Sequence, residues 1–196
     1  RTVIVGVAGK LGSGKGAVVQ ILSDAGYQVI DVDQVGHRAL VSERERIIEA
    51  FGPEVLGTDG QIDRRRLGSL VFASVERRRR LEEIVHPVMI RRVAKLAGVK
   101  SARTAIDAAL LYPLGLNALC ELVIWVRAPL LLRIFRTVVI DGKRLTTILQ
   151  MMWAQRGQAL KQKPSNVDTL NVSYRNVYNV ATRGLLRRQI EVILAL

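Results

Sequence analysis

The stretch Gly9-Lys10-Leu11-Gly12-Ser13-Gly14-Lys15-Gly16 decides the fold of this chain of 196 residues. It fits the phosphate-binding loop pattern G-x-x-x-x-G-K-[ST] at every fixed position except the last. The apolar run 3–8 before it is typical of a buried strand, and the run 17–22 after it is typical of a helix. A strand, a glycine-rich turn and a helix in this order are the context in which the motif holds phosphate. The stretch therefore predicts an anion site in a domain of the α/β class.

The chemistry of this loop favours a phosphate group. Its glycines let consecutive backbone N–H groups turn toward one anion, and the N-terminus of the following helix adds positive potential. Lys15 is predicted to reach the outer phosphates, which makes it a catalytic candidate as well. The full set of nucleotide-binding residues predicted from the motif is Gly12, Ser13, Gly14, Lys15, Gly16 and Ala17.

The last position of the motif departs from the pattern. It normally supplies a hydroxyl group that ligates the Mg²⁺ between the two outer phosphates. Here Gly16 is followed by Ala17, and neither side chain offers an oxygen. A water molecule can take that coordination position, because Mg²⁺ usually keeps several waters. The sequence thus supports phosphate binding better than it supports efficient phosphoryl transfer.

The composition limits the class of protein. With 49% hydrophobic residues the chain can bury a full core, and its single cysteine, Cys120, excludes an internal disulfide and favours a reducing compartment. We expect no secretory leader. The most apolar region, 110–126, is interrupted by Pro113, Asn117 and Glu121, whereas a spanning helix needs ~20 nearly unbroken apolar residues. A soluble, cytoplasmic protein is predicted.

The net charge of +13 raises the question of nucleic acid as a ligand. Much of the charge lies in the runs 64–66 and 77–80, but the second run is flanked by glutamates, as on a solvated helix face. Aromatic residues make up only 5% of the chain and are not interleaved with these runs. Nucleic acid is therefore disfavoured, and a small molecule that carries phosphates fits the positive charge better.

The chain alternates strands with helices, which predicts a parallel sheet of about five strands flanked by helices. Two insertions interrupt the alternation: a helical, charged region at 34–100 and a basic segment at 139–163. Their lengths suggest a substrate-binding subdomain and a small helical lid. After the first strand, further strands are predicted at 28–32, 103–107, 122–126 and, more weakly, 167–172. A C-terminal helix is predicted at 185–196. The nucleotide-binding core is predicted to comprise 1–33, 101–138 and 164–196.

Two aspartates are predicted to follow strands of this sheet. Ligands bind outside the carboxyl ends of such strands, so Asp33 is a candidate base for an attacking hydroxyl group, and Asp107 is a candidate ligand of Mg²⁺, through water. The alternatives are a helix N-cap for Asp33, before a helix at 35–40, and a capping or turn carboxylate for Asp107. The spacing alone leaves these alternatives open.

Three more residues carry groups that could act at a site. Arg133 and Arg136 lie on the predicted helix after the fourth strand, where contact with a nucleotide and a solvated helix face are both open. His86 precedes Pro87 and has no second histidine or cysteine nearby. A structural histidine with a hydrogen bond is therefore the default for it.

Taken together, these segments resemble the dephospho-CoA kinase family between residue 3 and about residue 171. The loop and the strand end 26–33 (GYQVIDVD) match the first part of the family pattern. A more specific match follows in four segments: 51–56 (FGPEVL), 59–64 (DGQIDR), 67–72 (LGSLVF) and 78–87 (RRRLEEIVHP).

The resemblance implies transfer of the γ-phosphoryl group of ATP, with Mg²⁺, to the 3′-hydroxyl group of dephospho-CoA. It implies that Asp33 is the base, that Lys15 binds phosphate and that Arg136 lies on the helix leading into the lid. The substrate-binding residues expected in addition to Asp33 are Arg64, Leu67, Phe72, His86 and Asp107. The arginine runs are ordinary for this family, so the resemblance further disfavours nucleic acid.

Several positions depart from the family pattern. Ile140 stands where the family has a lid arginine, and the loss of such a group removes stabilisation of the transition-state charge. Lys143 and Arg144 are candidate substitutes for it. Together with Gly16, these departures leave an alternative open: a degenerate member that binds nucleotide or CoA without transferring phosphate. The remaining departures are Ala109 for proline, Pro113 for an acidic residue and Ile90 for arginine.

Overall fold

The computed structural model describes residues 3–98, 103–139, 172–180 and 182–195. The described residues belong to two compact units, one drawn from residues 1–30 and 99–196 and the other from Asp31–Gly98. Val139 is the only described residue of the predicted lid 139–163, so the lid, Ile140, Lys143 and Arg144 lie outside the described residues. Within the part of the chain that is described, no helix has the length and apolar character needed to cross a membrane.

The first unit is built on a five-stranded sheet with the order β2-β3-β1-β4-β5. β1 pairs in parallel with β3 and β4, and β4 pairs in parallel with β5. The four inner residues of β1 are buried, as expected for a central parallel strand covered on both faces. The bounds are β1 Ile4–Gly9, β2 Gln28–Asp31, β3 Thr104–Asp107, β4 Leu122–Arg127 and β5 Ser173–Tyr178.

The helices of the described residues follow the chain in the order α1 to α7. One face of the sheet packs on α1 and α7, and the core between them includes Val5, Val18, Ile124 and Ile190. The prediction of a parallel sheet flanked by helices is confirmed. The bounds are α1 Lys15–Asp24, α2 Val32–Ser42, α3 Arg44–Phe51, α4 Arg64–Ala73, α5 Val75–Ala97, α6 Leu130–Val139 and α7 Arg183–Ala195.

The position of the fifth strand was predicted wrongly. The strand occupies Ser173–Tyr178, whereas the prediction at 167–172 ends where the strand begins, and 167–171 lie outside the described residues. β5 is an edge strand on which four of the six residues are exposed. Its polar sequence SYRNVY therefore lacks the apolar run by which the inner strands were recognised.

The second unit, Asp31–Gly98, is helical and has a small core of its own. Leu67 on α4 and Ile84 on α5 are buried in it. α4 begins at a strong cap, because the Asp63 carboxylate accepts from the backbone N–H groups of Arg65 and Arg66 at 2.8 and 3.2 Å. These two hydrogen bonds hold the pKa of Asp63 below its usual range. Arg64, the first residue of α4, is thereby fixed in position on the backbone.

Candidate nucleotide-binding site

The phosphate loop leaves β1 at Gly9 and enters α1 at Lys15. Gly12 and Gly14 have φ angles of +72° and +84°, a region that L side chains rarely adopt. A Cβ atom at Gly12 would also collide with the carbonyl oxygen of Arg133, and one at Gly14 would collide with Nδ2 of Asn179. Glycine is therefore required at both positions for two reasons: the backbone conformation of the turn and the lack of space for a side chain.

Helix α6 holds the loop from one side. Arg133 is only 9% exposed, and its Nε donates to the carbonyl oxygen of Leu11 at 2.7 Å. The buried hydroxyl of Thr137 donates to the Arg133 carbonyl at 2.8 Å, close to Gly12. Burial lowers the pKa of the Arg133 guanidinium. The interpretation of Arg133 as part of a solvated helix face is therefore wrong: this side chain supports the loop.

Arg136 lies one turn further along α6 and is half-buried. Its Nη1 donates to the carbonyl oxygens of Ser13 and Asn179 at 3.4 and 3.2 Å, and its Nη2 donates to Oδ1 of Asn179 at 3.2 Å. A guanidinium has five N–H donors, and three are used in these bonds. The other two have no partner among the described residues and can bind an anion. The solvated-face interpretation therefore does not describe Arg136 either.

A cavity of about 610 Å³ opens at the carboxyl ends of the strands. Its size is typical of a site for a small molecule or cofactor. It brings together all six residues predicted from the loop motif, as well as Asp107 and Arg136, which come from distant segments. The lining consists of 10–17, Asp107, Arg136, Asn179, Arg183 and Leu186.

Asp107 and Gly16 are the two positions that bear on the binding of a metal ion. Asp107 is the last residue of β3 and lies opposite Val7 in the register of β1. Gly16 is exposed in the first turn of α1, and a Cβ atom there would meet nothing within 4 Å. The absence of a hydroxyl at this position is thus a property of the sequence and not a demand of the packing.

Asp33 belongs to the second unit. β2 ends at Asp31, and α2 begins at Val32, so Asp33 is an exposed residue of the first turn of α2. The N-cap is Asp31, whose carboxylate accepts from the backbone N–H of Gln34 at 3.0 Å. The alternative that Asp33 caps the helix is therefore wrong. The carboxylate of Asp33 forms no hydrogen bond with any residue in the described ranges and is exposed, which leaves it accessible.

The other predicted acceptor residues differ in accessibility. Nη1 of Arg64 lies 2.9 Å from Nε2 of His37, and Phe72 is 82% exposed. The side chain of Leu67 is buried in the core of its unit and is not accessible to a ligand. His86 is half-buried on α5, and burial lowers its pKa. Its imidazole forms no hydrogen bond within the described part of the chain, so those residues provide no partner for the hydrogen-bonded histidine expected by default.

Asn179 and Thr137 also contact the loop, and neither was predicted from the sequence. Asn179 directly follows β5, at a strand end, where ligands bind. Because the strand was predicted at 167–172, Asn179 was not recognised as a residue at a strand end. The sequence of β5, SYRNVY, shows neither an apolar run nor a strict alternation, so no local pattern indicates this strand. Thr137 carries no motif, so only the fold reveals its contact.

The sheet, the phosphate loop and the cavity define the class of P-loop nucleotide-dependent kinases. The family model described as dephospho-CoA kinase matches residues 3–174. The chain belongs to the dephospho-CoA kinase family.

Individual relatives agree with this assignment. A dephospho-CoA kinase of Bacillus licheniformis is 33% identical over 176 residues, which covers 86% of this chain and 87% of the relative. One of Borrelia garinii is 29% identical and covers 97% and 94%. A protein of Thermus thermophilus with a known crystal structure has a TM-score of 0.81 and 29% identity, covering all of this chain and 97% of its own.

Proposed function

We propose that the protein transfers the γ-phosphoryl group of ATP to the 3′-hydroxyl group of dephospho-CoA, which is the last step of coenzyme A synthesis, in the cytoplasm. Membership of the dephospho-CoA kinase family supports the choice of substrates. The observation that carries the proposal is the cavity in which the phosphate loop, Asp107 and Arg136 come together. A glycine-rich loop with its lysine is the part of such enzymes that holds the β- and γ-phosphates.

The nucleotide side of the site depends on charge and on fixed backbone donors. Backbone N–H groups at the start of α1 point along the helix axis toward its N-terminus, where they favour an anion. Lys15 neutralises the outer phosphates, and the uncommitted donors of Arg136 add a second cation to the same cavity. Positive groups that are already in place stabilise the charge that develops during transfer without further reorganisation.

The acceptor side depends on Asp33 as the general base. Its carboxylate accepts the proton of the 3′-hydroxyl group while that oxygen forms a bond to the γ-phosphorus. The bond between the γ-phosphorus and the bridging oxygen to the β-phosphate breaks, and ADP leaves with the electron pair. Arg64, Phe72 and His86 contact the acceptor, and Leu67 contributes by holding α4 in place.

Mg²⁺ belongs to this proposal, and the donors of the cavity suit it. The ion prefers one or two carboxylates together with phosphate oxygens and water, and Asp107 supplies a carboxylate beside the loop. Among the described residues, no cluster of three or more His, Cys, Asp or Glu side chains could hold a metal by itself. When bound with ATP, the ion would neutralise charge on the phosphates, while Asp107 would hold it through water.

The direct test is an assay of ADP release with ATP, Mg²⁺ and dephospho-CoA, with a control that lacks the acceptor. We expect ADP release that depends on the acceptor. Tight ATP binding by calorimetry without any such turnover would instead favour a degenerate member of the family. Catalysis would then be lost because Gly16 lacks the hydroxyl ligand and Ile140 replaces the lid arginine. Steeply salt-dependent binding of DNA or RNA near physiological salt would favour a nucleic-acid function.

The role of Asp33 is tested by Asp33→Asn. We expect turnover to fall by about 100-fold or more, since a general base contributes ~10²–10⁴ in rate, while ATP binding is retained. Glu45→Gln is the matched control, because Glu45 is also an exposed acidic residue in the first turn of a helix, here α3. Full activity of Asp33→Asn would exclude Asp33 as the base.

A further inference from the structure

Asn179 lies against the phosphate loop although it is 166 residues distant in the chain from Ser13. Its side chain is buried, with 7% exposed. Nδ2 donates to the carbonyl oxygen of Ser13 at 3.1 Å, and Oδ1 accepts from Nη2 of Arg136 at 3.2 Å. Each end of the amide thus contacts a different part of the nucleotide site.

Asn179 itself is held firmly by the sheet and by α7. Its backbone N–H donates to the carbonyl oxygen of Arg127 at 2.8 Å, which extends the pairing of β4 and β5 by one residue. The preceding residue, Tyr178, is bound through both its backbone N–H and its carbonyl to the side chain of Gln189, at 3.0 and 3.1 Å. The amide of Asn179 therefore projects from a fixed piece of backbone.

The contact acts on one peptide group of the loop. The bond between Ser13 and Gly14 is trans, as are all peptide bonds of the described chain, so the Ser13 carbonyl and the Gly14 N–H point in opposite directions. A donor that fixes the carbonyl therefore fixes the N–H as well. Gly14 has φ +84°, and Nδ2 of Asn179 occupies the space that a side chain there would need.

We propose that Asn179 is a positioning residue for ATP, which sets the Ser13–Gly14 peptide and the Arg136 guanidinium in the orientation that binds phosphate. Its amide is suited to this because one end donates to the loop and the other accepts from the arginine. A carboxylate has no donor at neutral pH, and a hydroxyl carries its donor and its acceptors on a single oxygen atom, whereas the amide carries them on two separate atoms. The inference rests on the proposed function only in that the loop binds ATP.

The test is ATP binding by Asn179→Ala, measured by calorimetry together with the KM values of the two substrates. We expect the Kd and KM for ATP to rise about tenfold and the KM for dephospho-CoA to change less than about twofold. Asn176→Ala is the matched control, because Asn176 lies on β5, three residues before Asn179, and also binds an arginine, Arg127, but on the exposed surface. It should behave like the unmodified protein.

Asn179→Asp separates positioning from packing. It preserves the shape of the side chain and the acceptor for Arg136 but replaces the donor to Ser13 with a carboxylate oxygen, so ATP binding should be weakened although no cavity is created. Unchanged ATP affinity in both variants would overturn the proposal, as would equal losses for both substrates that follow a loss of thermal stability. The failure of the proposed function would be visible separately, as an absence of acceptor-dependent ADP release in the unmodified protein.

Discussion

The phosphate-loop region and the acceptor region of this chain are built in different ways. The loop is held by hydrogen bonds that span 122 to 166 residues of the chain, from Arg133, Arg136 and Asn179. In the acceptor region, Asp33, Arg64 and Phe72 are exposed on helices. Many hydrogen bonds of that unit, such as those at Asp31 and Asp63, join residues two or three positions apart.

The two regions should differ in the conformational entropy that is lost when a ligand binds. Among the described residues, the groups around the phosphate loop are already held by hydrogen bonds, so we expect phosphate binding to order few of them. The acceptor groups are exposed side chains, and a flexible one such as Arg64 costs about 0.5–1.5 kcal/mol when it is immobilised on binding. We therefore expect substitutions at the loop to have large effects that spread over the site. Substitutions at the acceptor region, other than at the proposed base Asp33, should have small, local effects.

The largest effect is expected at Gly14. Gly14→Ala places a Cβ atom in the left-handed region, which costs about 1–2 kcal/mol, and drives it into Asn179. We predict that kcat/KM for ATP falls at least about 100-fold, because small displacements at a phosphate site have effects of that size. Steady-state kinetics at varied ATP measure this.

Gly26→Ala is the control for backbone strain alone. Gly26 has the same φ of +84°, but a Cβ atom there meets nothing within 4 Å. It should lose stability without losing affinity for ATP. If Gly14→Ala and Gly26→Ala lost ATP binding equally, the effect at Gly14 would be due to backbone strain and not to the contact with Asn179.

A gain of function is expected at Gly16. A side chain fits there, so Gly16→Ser restores the usual hydroxyl ligand without a clash. We predict about a tenfold higher rate at limiting Mg²⁺, since a missing partner of a metal site costs on this scale. A titration of activity with Mg²⁺ measures the effect.

Gly184→Ser is matched to that change, because Gly184 is also the exposed second residue of a helix, α7. It should leave the Mg²⁺ dependence unchanged. An equal response of the two variants would show that Gly16→Ser acts through the helix and not through the metal.

A smaller effect is expected at His37, which contacts Arg64. His37→Ala removes the acceptor for Nη1 of Arg64, and a hydrogen bond of this kind contributes about 1 kcal/mol. We predict that the KM for dephospho-CoA rises about fivefold while the KM for ATP is constant. Arg65→Ala, at the exposed neighbour of Arg64, serves as the control. A rise in the KM for ATP instead would remove the distinction between the two regions.

The smallest effect concerns His86 and the stability of the protein in acid. Burial lowers the pKa of His86 below its ordinary value of 6.5, so on acidification the unfolded chain takes up this proton before the folded protein does. Stability should therefore fall as the pH drops below that value, by about 1.4 kcal/mol for each unit of pKa difference.

His86→Gln should remove this part of the acid sensitivity. Urea unfolding at pH 8 and at pH 5 measures it, and the variant should lose less stability than the unmodified protein between the two. Equal losses would show that the imidazole titrates freely in the folded state.

The sequence predicted those parts of the site that depend on local patterns. The phosphate loop is a contiguous motif with its glycines and lysine at fixed spacing in 9–16. Its anion-binding role could therefore be predicted from the sequence. Asp107 was found because it ends an apolar strand. The environment of Arg133 and the cap at Asp31 could not be derived from the sequence, because burial and the start of α2 depend on what packs nearby.

The sequence by itself determined the class of fold, the phosphate loop and the family, because these depend on short motifs and on the alternation of apolar runs. Only the tertiary structure decided which distant side chains hold that loop. Asn179, Arg133 and Thr137 reach it through the pairing of β4 with β5 and the packing of α6. Such contacts join residues more than a hundred positions apart, and no local pattern encodes them. They arise when the sheet brings the carboxyl ends of its strands to one edge, where polar groups from separate segments must satisfy one another.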